Sequence, residues 1–260
     1  MRNFVVYGLV ASVLMLMSFP TFADFSDGLV LYFPFDEGKG DVAEDLSDNK
    51  HEGVIDKPIW VKGKFGQALQ FDGDGSGTFV TVESTPKLNV NEMTFMAWVN
   101  AEHWNGTRQI AGKSVHGGCG GRVQFGLFSD GPNIMLRFET EAGRTDIIAP
   151  LLDVGSWAHI AVTNDGTDGI IYIDGTEEGR GAVLGKLGAN DDPLRIAQDC
   201  DRPQYVFAGA IDEARLWNRA LTADEIKQFM NQGAEILSGS TAIEPQNKLA
   251  TTWATVKHSK

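Results

Sequence analysis

The chain has 260 residues, with 22 Lys+Arg against 35 Asp+Glu and a formal net charge of −13. That length admits one large domain or two small ones, and 42% hydrophobic with 22% charged residues describes a globular chain with a full core. The acidic balance excludes the basic footprint of a nucleic-acid binder and electrostatic docking on an anionic membrane, and leaves divalent cations and neutral ligands open.

Residues 1–23 read as a secretory leader: Arg2, the apolar stretch Phe4–Met17, then Thr21 and Ala23 at the −3 and −1 positions of a small-residue cleavage site. The apolar stretch is shorter than the roughly 20 residues of a membrane span, although a retained anchor is the alternative. Removal at Ala23 leaves a chain from Asp24 to Lys260 without a span, exported to the periplasm or the extracellular space.

From Gly28 onward the pattern is period two. Leu29, Leu31, Phe33 and Phe35 alternate on one face of the first predicted strand. Further runs are Ala68–Gly73, Thr78–Glu83, Met93–Ala101, Val123–Phe128, Ile134–Glu139, Trp157–Asn164, Gly169–Gly175 and Leu194–Ala197. Turn dipeptides separate them, and Asp174-Gly175 marks a hairpin tip. In Met93–Ala101, Phe95 and Ala97 take the opposite parity from Met96 and Trp98, and Trp98 and Trp157 read as packing aromatics. Many short antiparallel strands point to a sandwich or barrel. Near the end, Thr222-Ala-Asp-Glu225 is a capping box, followed by Ile226, Phe229 and Met230 at helical spacing, with Gly233 able to stop the helix. Residues 236–260 read as a linker and a basic tail containing Trp253: a disordered tail, a docking strand for a protein partner, or a sorting signal.

Cys119 and Cys200 both lie in loop-like contexts. In an oxidising compartment such a pair reads as a disulfide, closing a loop of about 80 residues and nominally worth ~4 kcal/mol, or as two buried thiols. No C-x-x-C spacing offers a zinc site.

Five stretches, in order, carry a resemblance: Gly28–Gly40 (GLVLYFPFDEGKG), Val61–Gly73 (VKGKFGQALQFDG), Met93–Ala101, Gly155–Gly175 and Gly209–Ile226 (GAIDEARLWNRALTADEI). Together they resemble the bacterial laminin-G-like domain of the concanavalin A-like lectin/glucanase superfamily, over about residues 26–233. The resemblance implies an all-β, two-sheet antiparallel jelly-roll sandwich over 24–235 with one short C-terminal helix. It also implies a role in binding carbohydrate, protein or calcium.

The superfamily includes glycoside hydrolases, which need two carboxyls about 5 Å apart for retention. The Glu-x-Asp-x-Glu strand motif of laminarinase-type sites is missing, Glu139 and Glu141 supply one half of the spacing only, and Asp212 and Glu213 are adjacent and point apart on a regular strand. A non-catalytic binding module is the expectation, with a protein-adhesion module as the alternative and a hydrolase or lyase behind both. For metal, the resemblance implies one structural calcium ion bridging the loop after the first strand, at Asp45 and the oxygens around Ser47–His51, to Asp212 in the last strand; the Asp72/Asp74 loop is a weaker candidate. For ligand, Trp104 and Asn105, flanked by His103 and Arg108, offer an indole and amide outside a strand for a carbohydrate or glycoprotein. Arg202 and Tyr205 form a second polar-aromatic loop, which a Cys119–Cys200 bridge would place near Arg122.

Overall fold

Apolar residues at alternate positions, broken every few residues by Gly, Asp and Pro, leave the chain little choice but short strands. The computed structural model describes residues 24–73, 77–113, 123–199 and 203–238. Its strands are β1 (Leu29–Phe33), β2 (Val42–Glu44), β3 (Glu52–Asp56), β4 (Trp60–Lys62), β5 (Gln67–Asp72), β6 (Phe79–Val82), β7 (Met93–Ala101) and β8 (Arg108–Lys113). They continue with β9 (Phe125–Asp130), β10 (Asn133–Thr140), β11 (Gly143–Pro150), β12 (Ala158–Asn164), β13 (Asp168–Ile173), β14 (Thr176–Ala182), β15 (Leu194–Ile196) and β16 (Ala208–Trp217). One helix, α1 (Ala223–Phe229), follows.

Two antiparallel sheets form the expected sandwich. One runs β14-β13-β12-β7-β16-β5-β4, with β1 also paired to β16; the other runs β11-β10-β9-β8-β15-β6-β3-β2. The main core lies between them and is rich in phenylalanine, with Phe33, Phe71, Phe95, Phe125 and Phe138 fully buried. The parity split in β7 holds: Phe95, Ala97 and Val99 enter this core, while Met96 lies in a second apolar layer. That second layer covers the outer face of the first sheet with Phe25, Tyr32, Trp217, Leu221, Ile226 and Phe229. Both faces of β7 and β16 are therefore covered, and β7 carries Met96 and Trp98 where an amphipathic strand would turn polar residues outward. Burial of a side chain such as Phe229 contributes about 1.5–3 kcal/mol.

The hairpin tip is as the dipeptide foretells. Asp174 (φ 50°) and Gly175 (φ 73°) are both left-handed, the signature of a type I′ turn. The capping box also forms: Glu225 N–H donates to Thr222 Oγ1, and Thr222 N–H to Glu225 Oε2. Two expectations need correction. Leu29 does not share a face with Leu31 and Phe33, because the β1–β16 register slips between Leu29 and Leu31 and sends Leu29 into the outer layer. Asp212 and Glu213 are not on a regular strand either. The β7–β16 register shifts between Asp212 and Arg215, and Glu213 sits at φ 57°, so the alternation breaks at these carboxylates.

Candidate functional site

Asp45 and His51 come together as the sequence suggests, but as a hydrogen-bonded structural unit. The Asp45 carboxylate accepts from Tyr32 N–H (2.9 Å), Ser47 N–H (2.8 Å), Ser47 Oγ (2.8 Å), His51 N–H (2.8 Å) and His51 Nδ1 (3.1 Å). Burial works against the ionised form, yet the donors of His51, Tyr32 and Ser47 outweigh it and hold the pKa below the ordinary carboxylate value. With its proton on Nδ1, the ring turns Nε2 toward Thr85 Oγ1 at 3.0 Å. A carboxylate with five protein donors has no lone pair left for a cation, and an imidazole is a poor calcium ligand.

Asp212 stands in another setting. Its Oδ2 accepts Phe65 N–H (2.9 Å) from the β4–β5 hairpin tip, while its Oδ1 is buried with no hydrogen-bond partner. The same tip is gripped from the β1 side by Asp36, whose Oδ1 accepts Gln67 N–H (2.8 Å). The tip needs its glycines. A Cβ at Gly66 would stand 2.0 Å from Asp36 Oδ1, and one at Gly63 would stand 2.3 Å from the Gln67 and Phe65 carbonyl oxygens. Burial pushes the Asp212 pKa up to about 8, and the charges of Glu213 and Asp36 add to that. The expected Asp45–His51–Asp212 metal set is therefore not assembled: among the described residues no group of three or more His, Cys, Asp or Glu converges on one metal position. The orphaned acceptor belongs to Asp212, and its companion is Asp36, a residue the sequence reading passed over. The signal was available in the Phe33-Pro-Phe-Asp36 break after the first strand.

Beside Asp212, the outer layer holds a buried polar network. Tyr32 Oη donates to Glu213 Oε2 (2.5 Å), Arg215 pairs with the same carboxylate, and Arg215 Nη1 donates to the Phe229 carbonyl (2.8 Å). Trp98, the packing aromatic of β7, donates its indole N–H to the Met230 carbonyl (2.9 Å) and carries the Lys64 ammonium 3.9 Å from a ring centroid. Trp157 is half-buried. His159 pairs in register with Trp98 and is enclosed, with neither ring nitrogen hydrogen-bonded. Burial, with Arg215 and Lys64 nearby, pushes its pKa down to about 3.

The two predicted ligand loops meet. The Trp104 ring packs on Phe207 at 5.6 Å between centroids, and its indole N–H donates to the Leu152 carbonyl (2.9 Å). Arg108 ties both loops by donating to the Asn105, Gly73 and Val206 carbonyls. Trp104 and Tyr205 are each half-buried, and Asn105 is exposed. The indole is thus anchored at its polar edge with part of the ring at the surface. Arg122, Arg202, Cys119, Cys200 and Asp74 lie outside the described residues, as do the leader and residues 239–260. Among the described residues no helix is long and apolar enough to cross a membrane.

A two-sheet antiparallel sandwich with its last strand central and a capped helix over one face is a jelly-roll domain. The chain belongs to the concanavalin A-like lectin/glucanases superfamily, since the laminin-G family model so described matches residues 74–227. It is 31% identical over 99 residues to a sushi, von Willebrand factor type A, EGF and pentraxin domain-containing protein of Rattus norvegicus, covering 34% of this chain and 3% of that one. It is 24% identical over 221 residues to adhesion G-protein coupled receptor D1 of Homo sapiens, covering 81% of this chain and 24% of that one. The chain thus spans a minor part of these curated relatives. Among solved structures, the binding domain of Paraclostridial Mosquitocidal Protein 1 has a TM-score of 0.65 at 19% identity, over 80% of this chain and 53% of that one. Domain 4 of AbnA, an extracellular arabinanase of Geobacillus stearothermophilus solved with arabinotriose, has a TM-score of 0.62 at 21% identity, over 77% and 97%. At these identities the likeness is one of fold.

Proposed function

We propose that the chain is an exported, non-catalytic module that binds glycans at the rim where the Trp104–Arg108 loop meets the Pro203–Phe207 segment. The observation that carries this reading is the half-buried Trp104 indole packed on Phe207, with the exposed Asn105 next to it in the chain and the half-buried Tyr205 two residues before Phe207. An aromatic ring fixed by its N–H stacks on a sugar face with little loss of side-chain entropy, and neighbouring amides and hydroxyls take the sugar hydroxyls. The similar domain solved with arabinotriose supports the ligand class. Asp212 and Glu213 lie buried under the outer layer, which supports recognition over hydrolysis.

Calcium belongs to this reading as a structural ion, placed at Asp212 and Asp36 with backbone oxygens of the hairpin tip. It would supply the positive charge that the buried Asp212 carboxylate lacks. The test is a glycan array probed with the chain in calcium and again in chelator, followed by titration of any hit against Trp104→Ala. Hits weakened at least tenfold by the substitution, with the fold retained, support the rim. Undiminished affinity removes it. An array without hits, from a folded chain, favours a protein partner; a similar neurotoxin binding domain was solved with rat synaptotagmin II.

A further inference from the structure

At the other end of β6 from the Trp104 rim, past Val82, the surface opens into a groove of about 770 Å³ between Asp48–Glu52 and the Thr85–Lys87 turn. That volume lies within the usual range for small-ligand sites. A second hollow of about 450 Å³ continues it along β2 and shares Lys50, His51 and Glu52 with the first. The two form one open channel along the β2–β3 edge. We propose that this channel is a second binding site, taking a neutral oligosaccharide along its length; the assignment rests on the glycan reading given above.

Three features of the lining carry it. The walls hold charges of both signs, Lys50 and Lys87 against Asp48, Glu52 and Glu83, with no surplus of positive charge to hold an anion. Ammonium donors beside carboxylate acceptors match the paired hydroxyls of a sugar, each of which donates and accepts. The lining also includes apolar surface from Val54 and Pro86, and Val54 is 52% exposed, enough for the C–H face of a pyranose to pack on. Finally, two of the polar groups are already fixed. His51 is held at both ring nitrogens, by Asp45 and Thr85, and Lys87 Nζ donates to Asn49 Oδ1 (2.5 Å). Groups ordered before the ligand arrives lose little freedom on binding. Because the two hollows adjoin through Lys50, His51 and Glu52, a chain can reach across both where a single sugar fills one.

The test is chemical-shift mapping on the 15N-labelled chain with arabinotriose, xylotetraose, cellotetraose and laminaritetraose, each compared with its monosaccharide. The expected result is movement of the amides of Lys50–Glu52, Thr85 and Lys87, with an oligosaccharide binding at least fivefold more tightly than its sugar unit. Glu52→Ala with Lys87→Ala, both at exposed positions, is expected to weaken this binding tenfold or more without changing Tm. Val54→Trp, which fills the channel, should do the same, whereas Trp104→Ala should leave it within twofold. Shifts confined to His103–Asn105 and Tyr205, or affinity unchanged in both channel variants, overturn the second site and leave the glycan reading standing. No shift anywhere with any of the four oligosaccharides overturns both.

Discussion

Replacing Asp212 with Asn tests the electrostatics of the hairpin grip most directly. The amide keeps an oxygen for Phe65 N–H but cannot ionise. In the wild-type chain, burial puts the folded-state pKa of Asp212 near 8, against an ordinary 3.8. A carboxyl raised in the folded state contributes stability that is complete below the unfolded pKa and is lost as pH rises through the folded one. At about 1.36 kcal/mol per pH unit, the window from pH 4 to pH 8 holds roughly 5 kcal/mol, an upper figure for a site that relaxes or admits water. In chelator, thermal unfolding followed by circular dichroism should therefore show the variant gaining on the wild type as pH rises. The Tm difference should grow by on the order of 10 °C between pH 4 and pH 8. Glu213 and other groups titrate in both proteins, so the difference isolates Asp212 to the extent that the pair is uncoupled. Calcium should restore the wild type at pH 8 and leave the variant unmoved. Parallel pH profiles for the two proteins would refute the argument, and equal calcium responses would remove the ion from Asp212.

Two other substitutions probe the layer over the first sheet. Thr222→Ala removes the capping hydroxyl of α1 and should lower stability by about 1 kcal/mol, read as a Tm loss of roughly 2–4 °C; no loss would show that tertiary packing alone holds the helix. His159 is buried with its pKa down to about 3, so its contribution is complete above pH 6.5 and is lost as pH falls from there through the folded value, by up to roughly 5 kcal/mol. His159→Leu should shift the acid-unfolding midpoint to lower pH; an unchanged midpoint would mean that the ring finds a partner on protonation.

What the sequence made legible was local chemistry. Asp174-Gly175 dictates its turn because few other dipeptides adopt two left-handed residues, and Thr222–Glu225 caps its helix with groups four positions wide. The parity of β7 fixed which aromatics face which layer. Register was not legible. The shift after Asp212 arises where β16 exchanges β5 for β1 as its neighbour, and the slip beside Leu29 lies at the far end of that pairing, opposite Leu216 and Trp217; both depend on pairing between distant segments. The same limit applied to the sites. Trp104 and Tyr205 were visible as aromatics in loops, but the contacts that join the two loops are made by Phe207 and Arg108. Asp45 and Asp212 were paired because the resemblance implies an ion between the loop after the first strand and the last strand, whereas Asp45 is saturated by its own neighbours. Thr85 carried no signal at all, since its contact with His51 spans 34 residues and joins the Asp45–His51 loop to an otherwise unremarked turn.

The place of β16 has a consequence for the order of events during synthesis. Residues 208–217 are among the last described residues to be made, yet they stand in the middle of the first sheet, touching β7, β5 and β1 together. Until they arrive, β1 has no partner in its sheet, and the faces of Trp217 and Phe25 that meet at 5.4 Å belong to opposite ends of an open chain. Closure over such sequence separations is slow. The first sheet therefore cannot be completed before residues 208–217 have been made, and β1 stays unpaired in it until then.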